Sequence, residues 1–98
     1  MRFLHSMIRV KDIDSSLKFY TELLNMKLDE ERRLEDCTLY FLSDEEKTCQ
    51  IELTYNDETP EEGYQNGSAF GHFAFSCENL DKFSEKVNSL GYKFIRTI

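Results

Sequence analysis

The sequence predicts an α+β domain of two related βαβββ modules, the second without its last two strands within residues 1–98. Three observations predict it. Arg2 to Val10 and Cys49 to Asn56 alternate apolar and polar side chains with the period of a strand. Between them Ile13, Leu17, Tyr20 and Leu24 recur at helical spacing. The pattern then returns: His5 falls on His72 and Asp12 on Asn79 at an offset of 67, and Leu24-Asn25 falls on Leu90-Gly91 after one residue is lost.

Taken in order, Arg2 to Val10 puts Phe3, His5, Met7 and Arg9 on one face of a strand, and Leu4, Ser6, Ile8 and Val10 on the other. Lys11 to Ser16 holds cap-type residues, and the helix that follows should stop near Asn25, which tolerates the left-handed conformation. Met26 to Arg33 and Cys37 to Leu42 read as strands joined by a turn at Glu35-Asp36. After the charged turn Ser43 to Lys47 comes CQIELTYN, with Gln50, Glu52, Thr54 and Asn56 on one face and Ile51, Leu53 and Tyr55 on the other. Residues 1–56 thus form the first module.

Residues 57–68 are polar, contain the only proline (Pro60) and read as a linker. Residues 69–98 form the second, incomplete module. Ala69 to Cys77 reads as a strand, Asn79 caps a helix bearing Leu80, Phe83, Val87 and Leu90, Gly91 ends it, and Tyr92 to Ile98 begins another strand. The counterpart of Glu52 would fall near residue 118 or 119, past the last residue, Ile98.

Composition narrows the function classes. A net charge of −7 argues against nucleic acid as a partner, because phosphates require clustered Lys and Arg. No apolar run reaches the roughly 18 residues of a membrane helix. Met1 to Val10 reads as a structural strand, so no secretory leader is expected. Cys37, Cys49 and Cys77 are odd in number and widely spaced, which suits a reducing cytoplasm better than a disulfide framework.

Chemistry concentrates on three residues. His5 and His72 are the only histidines and occupy equivalent places in the repeat, and Glu52 lies on the polar face of a third strand. A single histidine on a mixed strand face is more often a plain surface or core residue than a ligand. Equivalence across a repeat makes coincidence less comfortable. Imidazole and carboxylate together suit a divalent first-row ion such as nickel, zinc, cobalt or iron. Three protein ligands would leave positions for water or substrate.

The run LHSMIRVKDIDSSLKFYTELLNMKL, then IELTYN, then GSAFGHFAFSCENLD, resembles the glyoxalase I (lactoylglutathione lyase) family of the vicinal oxygen chelate superfamily. The likeness covers nearly the whole chain. The IELTYN and GH segments are characteristic of the glyoxalase branch, whereas the repeated module is shared by the superfamily. The resemblance implies a curved sheet whose concave face holds one metal ion, with His5, Glu52 and His72 as ligands. Nickel is favoured, with zinc or cobalt as alternatives. It implies that Glu52 is catalytic and that Arg9 and Asn56 hold the glutathionyl part of the substrate. The reaction implied is isomerisation of the methylglyoxal–glutathione hemithioacetal to S-lactoylglutathione, by a cytoplasmic homodimer. The family's fourth ligand, a glutamate on the final strand, has no match in residues 1–98. Full activity is therefore not expected of these residues alone. The alternatives are another enzyme of the superfamily, a thiol transferase or dioxygenase, or a non-catalytic small-molecule binder of the same fold. The charge run Lys27 to Asp36 reads as a solvated strand and turn, in which Arg32 or Arg33 would suit glutathione's carboxylates.

Overall fold

A computed structural model of the protein describes residues 1–95. Two compact units, Met1–Asn66 and Gly67–Ile98, divide the chain. The first unit holds a four-stranded sheet. Strand β1 (His5–Arg9) is followed by helix α1 (Ile13–Lys18), which runs into a π-helical turn (Phe19–Leu23). Strands β2 (Lys27–Arg33), β3 (Cys37–Ser43) and β4 (Gln50–Asn56) complete it, in the spatial order β1-β4-β3-β2. Among the described residues the second unit contributes one regular element, helix α2 (Leu80–Ser89).

Local chemistry accounts for the boundaries. Asp12 caps α1: its carboxylate accepts from the Ser15 N–H at 3.1 Å and the Ser15 hydroxyl at 2.9 Å, satisfying a donor the helix cannot pair internally. These bonds hold the Asp12 carboxyl below the usual carboxylate range. The widening into a π turn was not legible in the spacing. Within it the Thr21 hydroxyl donates to the Leu17 carbonyl at 2.6 Å, a side-chain bond to a carbonyl of the helical ladder. Asn25 then takes φ 56°, the left-handed conformation expected of it, and the chain turns into β2.

β2 and β3 pair antiparallel, with a register shift between Leu28 and Glu30 that leaves Asp29 as the bulge. Every residue of β2 is exposed, and its charges make it a poor template for further pairing. β3 and β4 pair over seven residues, from Cys37↔Asn56 to Ser43↔Gln50. The turn between them is closed by Asp44, which accepts from Thr48 N–H at 2.8 Å, with Lys47 left-handed at φ 56°. β1 lies parallel to β4, His5 beside Gln50 and Arg9 beside Thr54. Such a pairing needs a crossover longer than a hairpin, and the intervening elements supply it.

The apolar face of this sheet carries Leu42 and Leu53, both fully buried, with Ile51; Val10, Leu23 and Met26 are also buried. The opposite face carries His5, Met7 and Arg9 of β1 with Gln50, Glu52, Thr54 and Asn56 of β4. The alternation read in the sequence places both sets correctly.

Helix α2 forms as its pattern predicts. The Asn79 side chain accepts from Lys82 N–H at 3.0 Å, and Gly91 closes the far end at φ 87°. Ala69 to Cys77, expected as a strand, has no regular secondary structure, and Tyr92 to Ile95 has none either. The expected strand at 92–98 otherwise lies outside the described residues. The physical reason for the first difference is visible in the first unit. There the leading strand β1 is paired to the fourth strand of its own module. Among the described residues no strand pairs with Ala69 to Cys77, and a strand without a ladder leaves its backbone groups to water.

Leu53 is fully buried in the middle of β4. Leu53→Ala is expected to lower unfolding stability by roughly 2–5 kcal/mol, read as a lower urea midpoint with unchanged slope.

Candidate functional site

The parallel register brings β1 and β4 side chains together on the polar face. His5 Nε2 stands 3.2 Å from Glu52 Oε1. The Thr54 hydroxyl donates to the other carboxylate oxygen, Oε2, at 2.9 Å, so both oxygens of Glu52 are held. Glu52 is mostly withdrawn from solvent, its side chain 12% exposed, while that of His5 is 38% exposed. Behind them the Phe41 ring meets the His5 imidazole edge-on at 5.6 Å between centroids, fixing the imidazole plane. Thr54 and Phe41 were not singled out in the sequence, though Thr54 lies on the face already identified, two residues past Glu52.

Arg9 is exposed on the same face. Among the described residues its guanidinium enters no salt bridge. Asn56, at the end of β4, is half-buried, and its amide Nδ2 donates to the Tyr64 hydroxyl at 2.9 Å. Arg32 and Arg33, considered as carboxylate receptors, are already engaged. Arg32 pairs with Glu30 at 2.6 Å and lies over the Phe41 ring, 5.5 Å from its centroid. Arg33 grips both oxygens of Asp57, at 2.6 Å each. β2 aims these cations at carboxylates of the same chain, which mixed charge patterning alone does not reveal.

At the His5 end the face opens into a cleft of about 400 Å³, whose lining includes Arg2, Asp29, Ser43, Lys47 and Gln50. Gln50 Nε2 donates to Asp29 at 3.0 Å. That bond first, and the nearby Ser43 hydroxyl second, lowers the Asp29 carboxyl below its ordinary value. The Ser43 hydroxyl itself is buried without a well-formed hydrogen bond.

His72 belongs to the second unit and stands in the irregular segment before α2. Among the described residues no group of three or more His, Cys, Asp and Glu gathers as a metal-holding cluster. The pair that does form fits an ion by its donor set. Two ligand atoms each about 2.1 Å from one metal stand about 3.0–3.4 Å apart, and the His5–Glu52 separation of 3.2 Å falls in that interval. Cys37 is a buried free thiol, and Cys49 and Cys77 are exposed free thiols. No helix among the described residues is long and apolar enough to cross a membrane.

Residues 2–98 match the Glyoxalase/Bleomycin resistance protein/Dioxygenase superfamily. Among known proteins, the chain is 39% identical over 94 residues to a probable lactoylglutathione lyase of Vibrio parahaemolyticus, covering 92% of this chain and 67% of that protein. It is also 39% identical over 95 residues to the lactoylglutathione lyase of Haemophilus influenzae, covering 93% and 69% respectively. Among solved structures, glyoxalase I from Zea mays superposes with a TM-score of 0.79 at 38% identity, over 92% of this chain and 33% of that one. The trypanothione-dependent glyoxalase I of Leishmania major gives 0.77 at 35% identity, over 92% and 66%. The chain therefore spans about two thirds of its bacterial relatives and one third of the maize enzyme.

The Asp57 carboxyl sits below its usual range because it accepts from Arg33. A carboxyl depressed by folding stabilises the fold above its unfolded pKa, about 3.9, and the contribution disappears as pH falls through the lower folded value. Relative to Asp57→Asn, the parent should be more stable near pH 7, and that advantage should fade as pH falls through the lowered folded pKa of Asp57. Thermal melts of both proteins across that range would check it.

Proposed function

Because this chain belongs to the Glyoxalase/Bleomycin resistance protein/Dioxygenase superfamily, we propose that it forms the catalytic core of a lactoylglutathione lyase. The reaction is isomerisation of the hemithioacetal of methylglyoxal and glutathione to S-lactoylglutathione. The observation that carries this reading is the His5–Glu52 pair on one polar face with Arg9 and Asn56.

His5, Glu52 and His72 would hold a divalent ion, nickel by preference and zinc or cobalt as alternatives. When bound, such an ion supplies Lewis acidity for the negative charge that develops as a C–H proton leaves. The rest is the work of the side chains. Glu52 takes the proton from one carbon and returns it to its neighbour, as a general base and then a general acid. The Thr54 hydroxyl on Oε2 keeps the carboxylate from rotating, so Oε1 faces His5. Arg9 offers a fork of N–H donors to a glutathione carboxylate, and Asn56 offers its amide. The two lie beyond Glu52 along β1 and β4, so a substrate bound there extends away from the reacting carbons.

Three free cysteines and a thiol cosubstrate suit a reducing compartment, and a cytoplasmic location is part of this reading. A homodimer is the proposed assembly, as the family resemblance implies. The net charge of −7 accords with a small-molecule substrate rather than nucleic acid.

Two measurements test the reading. His5→Ala and His72→Ala should each lower nickel affinity on the order of 100-fold or more, since each removes a ligand rather than a supporting contact. Elemental analysis after dialysis reads this directly, and unchanged metal content in His72→Ala would sink the three-ligand site. Arg9→Ala should weaken binding of S-methylglutathione, an unreactive thioether, by roughly 1–3 kcal/mol with metal content unchanged. Equal calorimetric affinity in parent and variant would remove the argument for glutathione.

A further inference from the structure

We infer that Tyr64 is a positioning residue for Asn56, and that residues 57–66 act as a strap holding the substrate-binding end of the sheet rather than as a passive connection. The inference rests on the reading of Asn56 as a substrate contact.

The strap is pinned along its length. At its start Asp57 is gripped by Arg33 through two hydrogen bonds of 2.6 Å, and its N–H donates to the Asp36 carbonyl at 3.0 Å. Further on, the Lys11 ammonium donates to the Glu61 carbonyl, tying the strap to the junction between β1 and α1. A turn then follows, with Gly63 N–H donating to the Pro60 carbonyl at 3.0 Å. Gly63 has φ 83°, a conformation a side chain would strain. The next residue is Tyr64, whose hydroxyl accepts the Asn56 amide at 2.9 Å. Both residues are half-buried.

A carboxamide at the end of a strand is free to turn and present either its oxygen or its nitrogen. Two donors and one acceptor then face a ligand in changing arrangements. Tyr64 takes one N–H and fixes the group, leaving Oδ1 and the second N–H in one orientation. Fixing a side chain before the ligand arrives removes an ordering cost that would otherwise weaken binding roughly 2- to 10-fold. The effect falls on binding rather than on the proton transfer at Glu52, because Asn56 stands four residues along β4 from that carboxylate.

The test is Tyr64→Phe, which keeps the ring and removes the hydroxyl. In ¹⁵N-labelled full-length protein, the two side-chain amide protons of Asn56 should give well-separated signals protected from solvent exchange. Tyr64→Phe should bring them together and speed exchange. S-Methylglutathione should bind Tyr64→Phe about 2- to 10-fold more weakly. KM for hemithioacetal should rise by a similar factor, with kcat changed by less than about twofold. In an Asn56→Ala background the same substitution should cost nothing further in affinity. Unchanged Asn56 signals in Tyr64→Phe would overturn the inference, and so would an undiminished loss of affinity in the Asn56→Ala background. Should the parent fail to bind S-methylglutathione, the glutathione reading falls, and the Asn56 amide signals alone decide whether Tyr64 positions it.

Discussion

The parallel pairing of β1 with β4 is the constraint on which the rest of the first unit depends. It joins the first strand of the module to the last, across every element between them. The register sets Met7 beside Glu52, which leaves His5 one pleat away and within 3.2 Å of the carboxylate. A slip of one residue would exchange the faces of β1, sending His5 and Arg9 into the core and Ile8 into solvent. The buried side of the same ladder, Leu53 flanked by Leu42 and Ile51, opposes that slip through the hydrophobic effect. The polar face that carries His5 and Glu52 is therefore held in register by the apolar one.

A carboxylate as withdrawn from water as Glu52 requires partners, and it has two that differ in kind. Thr54 is a neutral donor on the same strand, while His5 comes from the adjacent strand. One oxygen is thus held within β4, while the contact to the other depends on the register of β1 against β4. The cations of β2 are arranged differently. Arg32 and Arg33 are taken up by Glu30 and Asp57 at 2.6 Å. Exposed ion pairs of this kind add little stability, but they occupy the donors. That distribution leaves Arg9 as the β1 cation exposed beside Glu52 and Asn56.

Strand alternation and helix caps were legible in the sequence because their causes are local. Asp12 and Asn79 each accept from the backbone three residues on, and Asn25 and Gly91 adopt the left-handed conformations their positions suggested. The faces of β1 and β4 follow from period two alone. The His5–Glu52 contact was legible only as a shared polar character, since the distance depends on which strands are neighbours. The Thr54 bond, the bulge at Asp29 and the π turn at Phe19 to Leu23 were not legible, because each hangs on a side-chain hydrogen bond or a one-residue shift. Tyr64 stood as the single aromatic residue in the polar run 57–68, which was its one available signal.

The contrast between β1 and Ala69 to Cys77 separates two things that alternation conflates. Both stretches carry a histidine at the equivalent position and alternate in the same sense. One is a strand and the other is not. Alternation determines which side chains would share a face if a strand formed. Formation itself requires a neighbour able to accept and donate along the backbone, and for β1 that neighbour is β4. Helix α2, whose hydrogen bonds close within its own segment, forms without such a neighbour. A repeated sequence therefore carries over its helix independently, while its leading strand depends on the strand that closes the module.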